Sequence, residues 1–477
     1  MAVDNSLSKE KLTPAVHAAL RSWYATKGDE GNLMDELLLV QEKRGELAGS
    51  SNPTNLRLAT NQVLYEAIEE LETQDQTSAR VLRLRFADDN TLLMVAYKLN
   101  VNEHSVSRLQ RKAIGKLTGI IYEWELAVRE ARAQQIEARL PPSTYTKLFG
   151  LTDTQKRLRE KLIDDDRPWV VAIVGIGGIG KTSLADSISR QIIREFRFED
   201  MIWLHSEPQT MSGRSLDPAR SFEALITDLA KGMGLVDGAI SAEVRLAQVR
   251  SRLKNDAYLV VVDNLETDAE TAFILDHLND LARPSKFVLT ARTRPAQIAS
   301  VFNFSLEELS RVDAGNLIRF HARDIGITTL EAASDEDINA VYELTGGNPL
   351  ALKLVVSLLD MLPLTQVMED LMNSRPGPIE DLYRHIYWQT WRILSPSARE
   401  LLQALPLVSE SGGTPEYLQK ISGLSDNAFW PALQELRGRS LLEVRGTLQE
   451  KRYGIHRLTE TFLRTEIIQW PEDESTG

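Results

Sequence analysis

Trp169-Val-Val-Ala-Ile-Val174, followed by Gly175-Ile176-Gly177-Gly178-Ile179-Gly180-Lys181-Thr182 and then Ser183-Leu184, is the stretch that decides the fold. The apolar, β-branched run up to Val174 reads as a buried strand, the next eight residues fit G-x-x-x-x-G-K-S/T, and Ser183 onward opens an amphipathic helix. Glycines allow the backbone to turn its N–H groups onto an anion. Lys181 then reaches β and γ oxygens, and the Thr182 hydroxyl reaches Mg²⁺. Strand, glycine loop and helix in this order predict a cradle for ATP or ADP with Mg²⁺. Its contacts are expected from Gly175, Ile176, Gly177, Gly178, Ile179, Gly180, Lys181, Thr182 and Ser183.

Working outward, four apolar runs alternate with helical stretches between about residues 143 and 295: Trp169 to Val174, Met201 to His205, Tyr258 to Val262 and Phe287 to Thr290. That alternation predicts a parallel sheet flanked by helices. Asp263 closes the run Tyr258 to Val262, where a carboxylate is needed to hold the magnesium water shell. The metal set is therefore Thr182 and Asp263. Lys286 to Arg292 ends a strand in Thr290-Ala291-Arg292, which sets a guanidinium where a γ-phosphate is sensed. Lys181, Asp263 and Arg292 are the expected catalytic residues.

A chain of 477 residues exceeds one core and predicts several domains, α/β and all-α together. Residues 1–140 read as a helical domain that ends in a charged connecting helix, Tyr122 to Leu140, before Pro141-Pro142. The phosphate-loop domain is expected over 141–295, a helical bundle over 296–375, a winged helix over 376–467, and a disordered acidic tail over 468–477. The hairpin of the winged helix is placed at Leu441 to Val444 and Arg452 to Ile455. With no cysteine, disulfides, thiolate metal sites and cysteine nucleophiles are excluded. The polar start of the chain and the lack of a long apolar run predict a cytoplasmic protein with no membrane contact. A net charge of −13 argues against nucleic-acid binding by the whole surface.

The order of motifs resembles the NB-ARC branch of the STAND signalling ATPases over roughly residues 145 to 467. The resemblance rests on the loop Gly175 to Leu184, the strand Leu259 to Asp263, the run Leu289 to Arg292, the motif Gly346-Gly347-Asn348-Pro349-Leu350-Ala351, and His456 within Tyr453 to Leu458. It implies that Leu148, Phe149 and Gly150 line the adenine, that Pro349 packs on the base, and that His456 touches the β-phosphate of ADP. It also implies a switch: bound ADP holds the parts closed, exchange to ATP frees the winged helix, and the ATP-bound form assembles into homo-oligomers. Two departures stand out. Asn264 replaces a second acidic residue after Asp263, which predicts slow hydrolysis or none, with Glu266 as a substitute for reaching water. Arg457 stands where plant members carry aspartate. No repeat array follows the winged helix, so the trigger is expected to be a separate protein or the N-terminal domain itself.

Residues Arg80 to Leu117 read as a helix-turn-helix that resembles the DNA-reading region of bacterial sigma factors, particularly over Val106 to Ile114. Val95, Ala96 and Leu99 are expected to pack on Val101, Val106 and Leu109, with Asn100 in the left-handed turn and Asn102 capping the second helix. The segment holds eight basic and three acidic residues, a net of +5 against the acidic chain. Ser105, Arg108, Gln110, Arg111 and Lys112 are the expected nucleic-acid contacts. Two outputs stay open: DNA binding in transcription or stress signalling, and recruitment of a protein effector.

Overall fold

The computed structural model describes residues 7–25, 32–47, 53–206, 218–235, 240–265, 268–292, 301–331, 333–372, 379–408, 412–446 and 450–468. Glu266 and most of the expected tail lie outside them. The chain forms two compact units, Met1–Gln135 and Ile136–Gly477. No helix among the described residues is long and apolar enough to cross a membrane.

The first unit is helical, and its apolar stripes meet in a core that includes Leu12, Leu20, Leu64, Leu71, Leu117 and Ile121. Helix Leu38–Glu46 follows Leu37, which has no side chain able to cap the first amides. The fully buried Glu125 supplies the acceptors: its two carboxylate oxygens accept from the N–H groups of Leu38 and Leu39, each at 3.1 Å, and Arg129 Nε donates to it at 2.7 Å. A carboxylate is tolerated at such depth because every lone pair facing the core is used.

Helices Leu92–Leu99 and Glu103–Glu137 flank a short turn at residues 100–102, and the second helix continues through most of the stretch expected as the connecting helix. Asn100 takes the left-handed conformation (φ 55°), and Asn102 Oδ1 accepts from Ser105 N–H at 2.7 Å. Val95, Ala96 and Val106 form a small buried cluster with Leu84, Leu92 and Leu99 around it. Val101 is a correction: it lies in the turn and is 38% exposed. The left-handed step at Asn100 redirects the chain, and of the expected partners Val106 is the one that joins the buried cluster.

In the second unit, β1 (Val170–Val174), β2 (Asp200–His205), β3 (Tyr258–Leu265), β4 (Lys286–Ala291) and β5 (Val301–Ser305) form a parallel sheet in the order β2-β3-β4-β1-β5. β1 is fully buried, as the apolar run required. The fifth strand was not expected and lies beyond the boundary drawn at 295. It is a short edge strand whose half-buried side chains give a weak period, yet it pairs all five residues of β1 and makes the loop-bearing strand internal.

The remainder is helical, with the hairpin β6 (Glu443–Gly446) and β7 (Lys451–Gly454) placed before helix Arg457–Phe462. One cluster of buried side chains takes in Leu352, Val355, Tyr387, Leu401, Phe429 and Leu463, so a common core spans both sides of residue 375. Ser440 lies in this region with φ 56°, a conformation that glycine would adopt without strain. Its hydroxyl is held on both sides. Ser357 Oγ donates to the Lys353 carbonyl at 2.9 Å, so it accepts from Ser440 Oγ at 2.7 Å, and Ser440 in turn accepts from His321 Nε2–H at 2.7 Å. Burial, then the nearby Lys353 charge, pushes His321 down to about 4, with Asp324 opposing.

Two outcomes are expected. The unfolded imidazole takes its proton near 6.5, whereas the folded one refuses it until about 4. Stability is thus present above pH 6.5 and lost as pH falls through that window, by ~2 kcal/mol at pH 5. His321→Gln should flatten this slope in denaturant midpoints taken at pH 7 and pH 5. Ser440→Ala keeps the strain and loses the hydroxyl, for about 2 kcal/mol of destabilisation, whereas Ser440→Gly should recover roughly 1 kcal/mol of that. Equal stability of the two variants would show that the left-handed strain is not stored there.

Candidate functional site

The site begins with sheet register. β1 lies between β4 and β5, and Thr290 of β4 sits opposite Ile173, one residue before the end of β1. Between β3 and β4, Val262 pairs with Leu289 and Leu265 with Ala291, so Asp263 and Asn264 together face the single residue Thr290. This is a β-bulge, with Asn264 at φ 73°. It aims the Asp263 carboxylate at the loop: Oδ1 accepts from Thr182 Oγ1 at 2.9 Å and from Thr290 Oγ1 at 2.5 Å. Thr290 Oγ1 also accepts the Asn264 N–H at 2.7 Å. Asp263 is 2% exposed. Burial raises its pKa, but His205 and the two threonine hydroxyls outweigh that and leave the carboxyl below its ordinary range.

The loop itself is built for an anion. Helix Lys181–Ile193 starts after Gly180 (φ 103°), which offers no side chain to the first helical amides. Gly178 is also left-handed, with φ 70°. Lys181 Nζ donates to the carbonyls of Gly175 at 2.9 Å and Ile176 at 3.0 Å, which holds the ammonium against the loop. A Cβ at Gly175 would come within 3.0 Å of the Leu306 carbonyl. Uncapped amides, an ammonium, and a hydroxyl bonded to a buried carboxylate are a donor set that fits a nucleotide phosphate with Mg²⁺.

Other expected residues fall around the loop. Pro349 is the first residue of helix Pro349–Leu358, and His456 caps helix Arg457–Phe462 by accepting the Leu458 N–H on Nδ1 at 3.1 Å. The imidazole of His456 is pushed below its ordinary value, first by burial and then by Lys181, Lys353 and Arg292, while Glu443 opposes. Lys181, Arg292 and His456 therefore share one electrostatic neighbourhood. Leu148, Phe149 and Gly150 are led in by a knot on the loop helix: Asp186 Oδ2 accepts from Ser143 Oγ at 2.7 Å, Tyr145 Oη at 2.9 Å and Arg190 Nε at 3.0 Å. Phe149 then meets Phe320 with ring centroids 5.5 Å apart and the planes tilted by 58°, and Gly150 packs against Leu309 and Asp313.

Three contributors were not expected. His205, paired in register with Asp263, has Nδ1 3.6 Å from Asp263 Oδ2 and Nε2 3.4 Å from Asn264 Nδ2. Asn348 and Tyr383 reach the loop backbone from distant helices. In sequence His205 was visible only as the end of an apolar run and Asn348 only as part of the Gly346 to Ala351 motif, and nothing singled out Tyr383. The nucleic-acid candidates lie in the other unit. Arg108, Arg111 and Lys112 are exposed there, whereas Ser105 and Gln110 are half-buried, and Gln110 Oε1 is turned inward without a hydrogen-bond partner among the described residues.

Residues 151–313 match the NB-ARC domain family. The chain carries an NB-ARC domain. The match continues past residue 295 to include β5. An uncharacterised WD repeat-containing protein of Nostoc is 25% identical over 312 residues, which are 60% of this chain and 24% of the relative. A disease susceptibility protein of Arabidopsis thaliana is 25% identical over 244 residues, 49% of this chain and 26% of the relative. The chain thus spans about a quarter of these relatives. A STAND protein with a tetratricopeptide repeat sensor from Pyrococcus horikoshii has a TM-score of 0.43 and 18% identity, with 68% of this chain and 43% of that one covered.

Thr290→Val removes a hydroxyl that both donates to Asp263 and accepts from Asn264. The NB-ARC domain should lose about 2 kcal/mol, because a buried carboxylate and a backbone N–H each lose a partner. Chemical denaturation measures this, and an unchanged midpoint would show that the bulge is held by pairing alone.

Proposed function

We propose that this chain is an ATP/ADP-dependent switch of the NB-ARC type, in which bound nucleotide holds the α/β, helical and winged-helix parts together and exchange releases them. The observation that carries this reading is that Lys181 and Arg292 of the α/β part share one electrostatic neighbourhood with His456, which follows the hairpin, beside the Thr182–Asp263–Thr290 network. Thr182 and Asp263 would hold Mg²⁺, which neutralises phosphate charge when bound. Hydrolysis is at most slow, because Asn264 has no basic group and is spent on Ser206 and His205. The nucleotide released on denaturing the purified protein tests the reading, with Lys181→Ala as control. ADP in wild type and none in the variant is expected. A chain that holds no nucleotide and binds none with Mg²⁺ would overturn it.

The output is assigned to the helix-turn-helix, with DNA as its target in transcription or stress signalling. Arg108, Arg111 and Lys112 supply exposed cations, so duplex affinity should fall steeply with salt, and the triple alanine variant should lower the slope by about 3. A second reading, recruitment of a protein effector, is favoured by a specific feature of the first helix: Leu93, Met94 and Tyr97 are 65%, 47% and 84% exposed. Apolar side chains on one exposed face suit a protein better than phosphates. Binding of duplex DNA with no salt dependence, or none at all, decides for the effector. Homo-oligomer formation with ATP and a cytoplasmic setting belong to the same proposal.

A further inference from the structure

The glycine loop is gripped from outside by groups that the phosphate motif does not contain. Asn348 Nδ2 donates to the Gly177 carbonyl at 3.0 Å, and Tyr383 Oη points at the same carbonyl at 3.2 Å. Tyr383 Oη also donates to Asn348 Oδ1 at 2.6 Å. The next carbonyl, of Gly178, accepts from Leu350 N–H at 3.3 Å. Asn348 is wholly buried and Tyr383 is 2% exposed, so neither contact is diluted by solvent. A Cβ at Gly178 would collide with the Tyr383 hydroxyl and approach Leu350 Cβ to 2.7 Å, which shows how closely the grip is fitted.

A trans peptide sets its C=O and the following N–H on opposite sides of one plane. Fixing the Gly177 and Gly178 carbonyls toward Asn348, Tyr383 and Leu350 therefore turns the Gly178 and Ile179 N–H groups the other way. Tyr383 lies on helix Ile379–Ile393, where its ring stacks at 6.3 Å on Tyr387. Tyr387 stacks at 5.3 Å on Phe462 and accepts from Thr459 Oγ1 at 3.1 Å. Both partners belong to the helix that follows His456.

We infer that Tyr383 and Asn348 are positioning residues for phosphate binding: by holding the Gly177 carbonyl they aim successive loop amides at the nucleotide. Through Tyr387 the same contact ties the loop to the helix after His456. This rests on the proposed nucleotide switch and adds to it two residues that set the loop's shape.

Tyr383→Phe keeps the ring stack and removes only the hydroxyl. Asn348→Asp keeps the acceptor that caps helix Pro349–Leu358 through Leu350 and Ala351 N–H, and removes the donor to Gly177. Dissociation of a fluorescent ADP from the full chain should speed up about tenfold in each variant, the scale of one lost buried hydrogen bond. Tyr387→Phe, which leaves the loop contact whole, should release ADP near the wild-type rate. A merely structural role would lower the melting temperature of the variants without changing release at a temperature where all are folded. Wild-type release rates in both Tyr383→Phe and Asn348→Asp overturn the inference alone. A wild-type chain that binds neither ADP nor ATP removes the switch and this inference together.

Discussion

A glycine loop has too little side chain to fix its own shape, and this constraint runs through the second unit. Four glycines at 175, 177, 178 and 180 leave a backbone with many accessible states, and ordering it is costly. Below the loop, the Gly175 N–H reaches the Ala291 carbonyl at 3.3 Å, and Lys181 folds back on the first two carbonyls. Above it, Asn348, Leu350 and Tyr383 take the next two. The helical region is thus part of the loop's own structure rather than a separate body laid over it. Conditions that move helix Pro349–Leu358 or Ile379–Ile393 also alter what the loop can hold.

The sheet imposes the second constraint. Strand order β2-β3-β4-β1-β5 brings the ends of β3 and β4 beside the loop after β1, and the bulge at Asp263-Asn264 turns the carboxylate toward Thr182. This bulge holds residue 264 in a left-handed backbone with φ 73°, and asparagine accepts that at lower cost than glutamate. Asn264 therefore has a structural reason to be present. The same choice removes a carboxylate from the position where water activation would be expected. Backbone geometry and the missing carboxylate are two consequences of one residue.

Motifs whose chemistry is local were legible in sequence. The strand into Gly175, the Asp263 strand end, the Gly346-Gly347-Asn348-Pro349 break and the Asn100 turn each depend on a few consecutive residues. What escaped depends on partners far along the chain. Tyr383 is an ordinary apolar-face residue of an amphipathic helix until the fold brings its hydroxyl to Gly177. His205 gains meaning only through register with Asp263. β5 was hidden because an edge strand of five residues with half-buried side chains lacks a strong period. Val101 was misplaced because the turn, rather than the apolar pattern, decides which way it faces.

The elements around the loop also bear on how few contacts a switch requires. Reversing a 1:99 equilibrium takes about 5.5 kcal/mol of differential affinity between the two states. Charge-assisted hydrogen bonds contribute roughly 1.5–3 kcal/mol each, so two or three that form only in one state suffice. Lys181 and Arg292 come after the ends of the neighbouring strands β1 and β4, whereas His456 precedes helix Arg457–Phe462, so a phosphate touching all three is sensitive to the placement of that helix against the sheet. His456 adds a further dependence. Its Nδ1 is committed to the Leu458 N–H, so a neutral ring has only Nε2–H to offer a phosphate. Burial and the cations Lys181, Lys353 and Arg292 push its pKa down against Glu443, which favours that neutral donor. One side chain then carries both the helix cap and the donor proposed for the phosphate, so a change at one bears on the other.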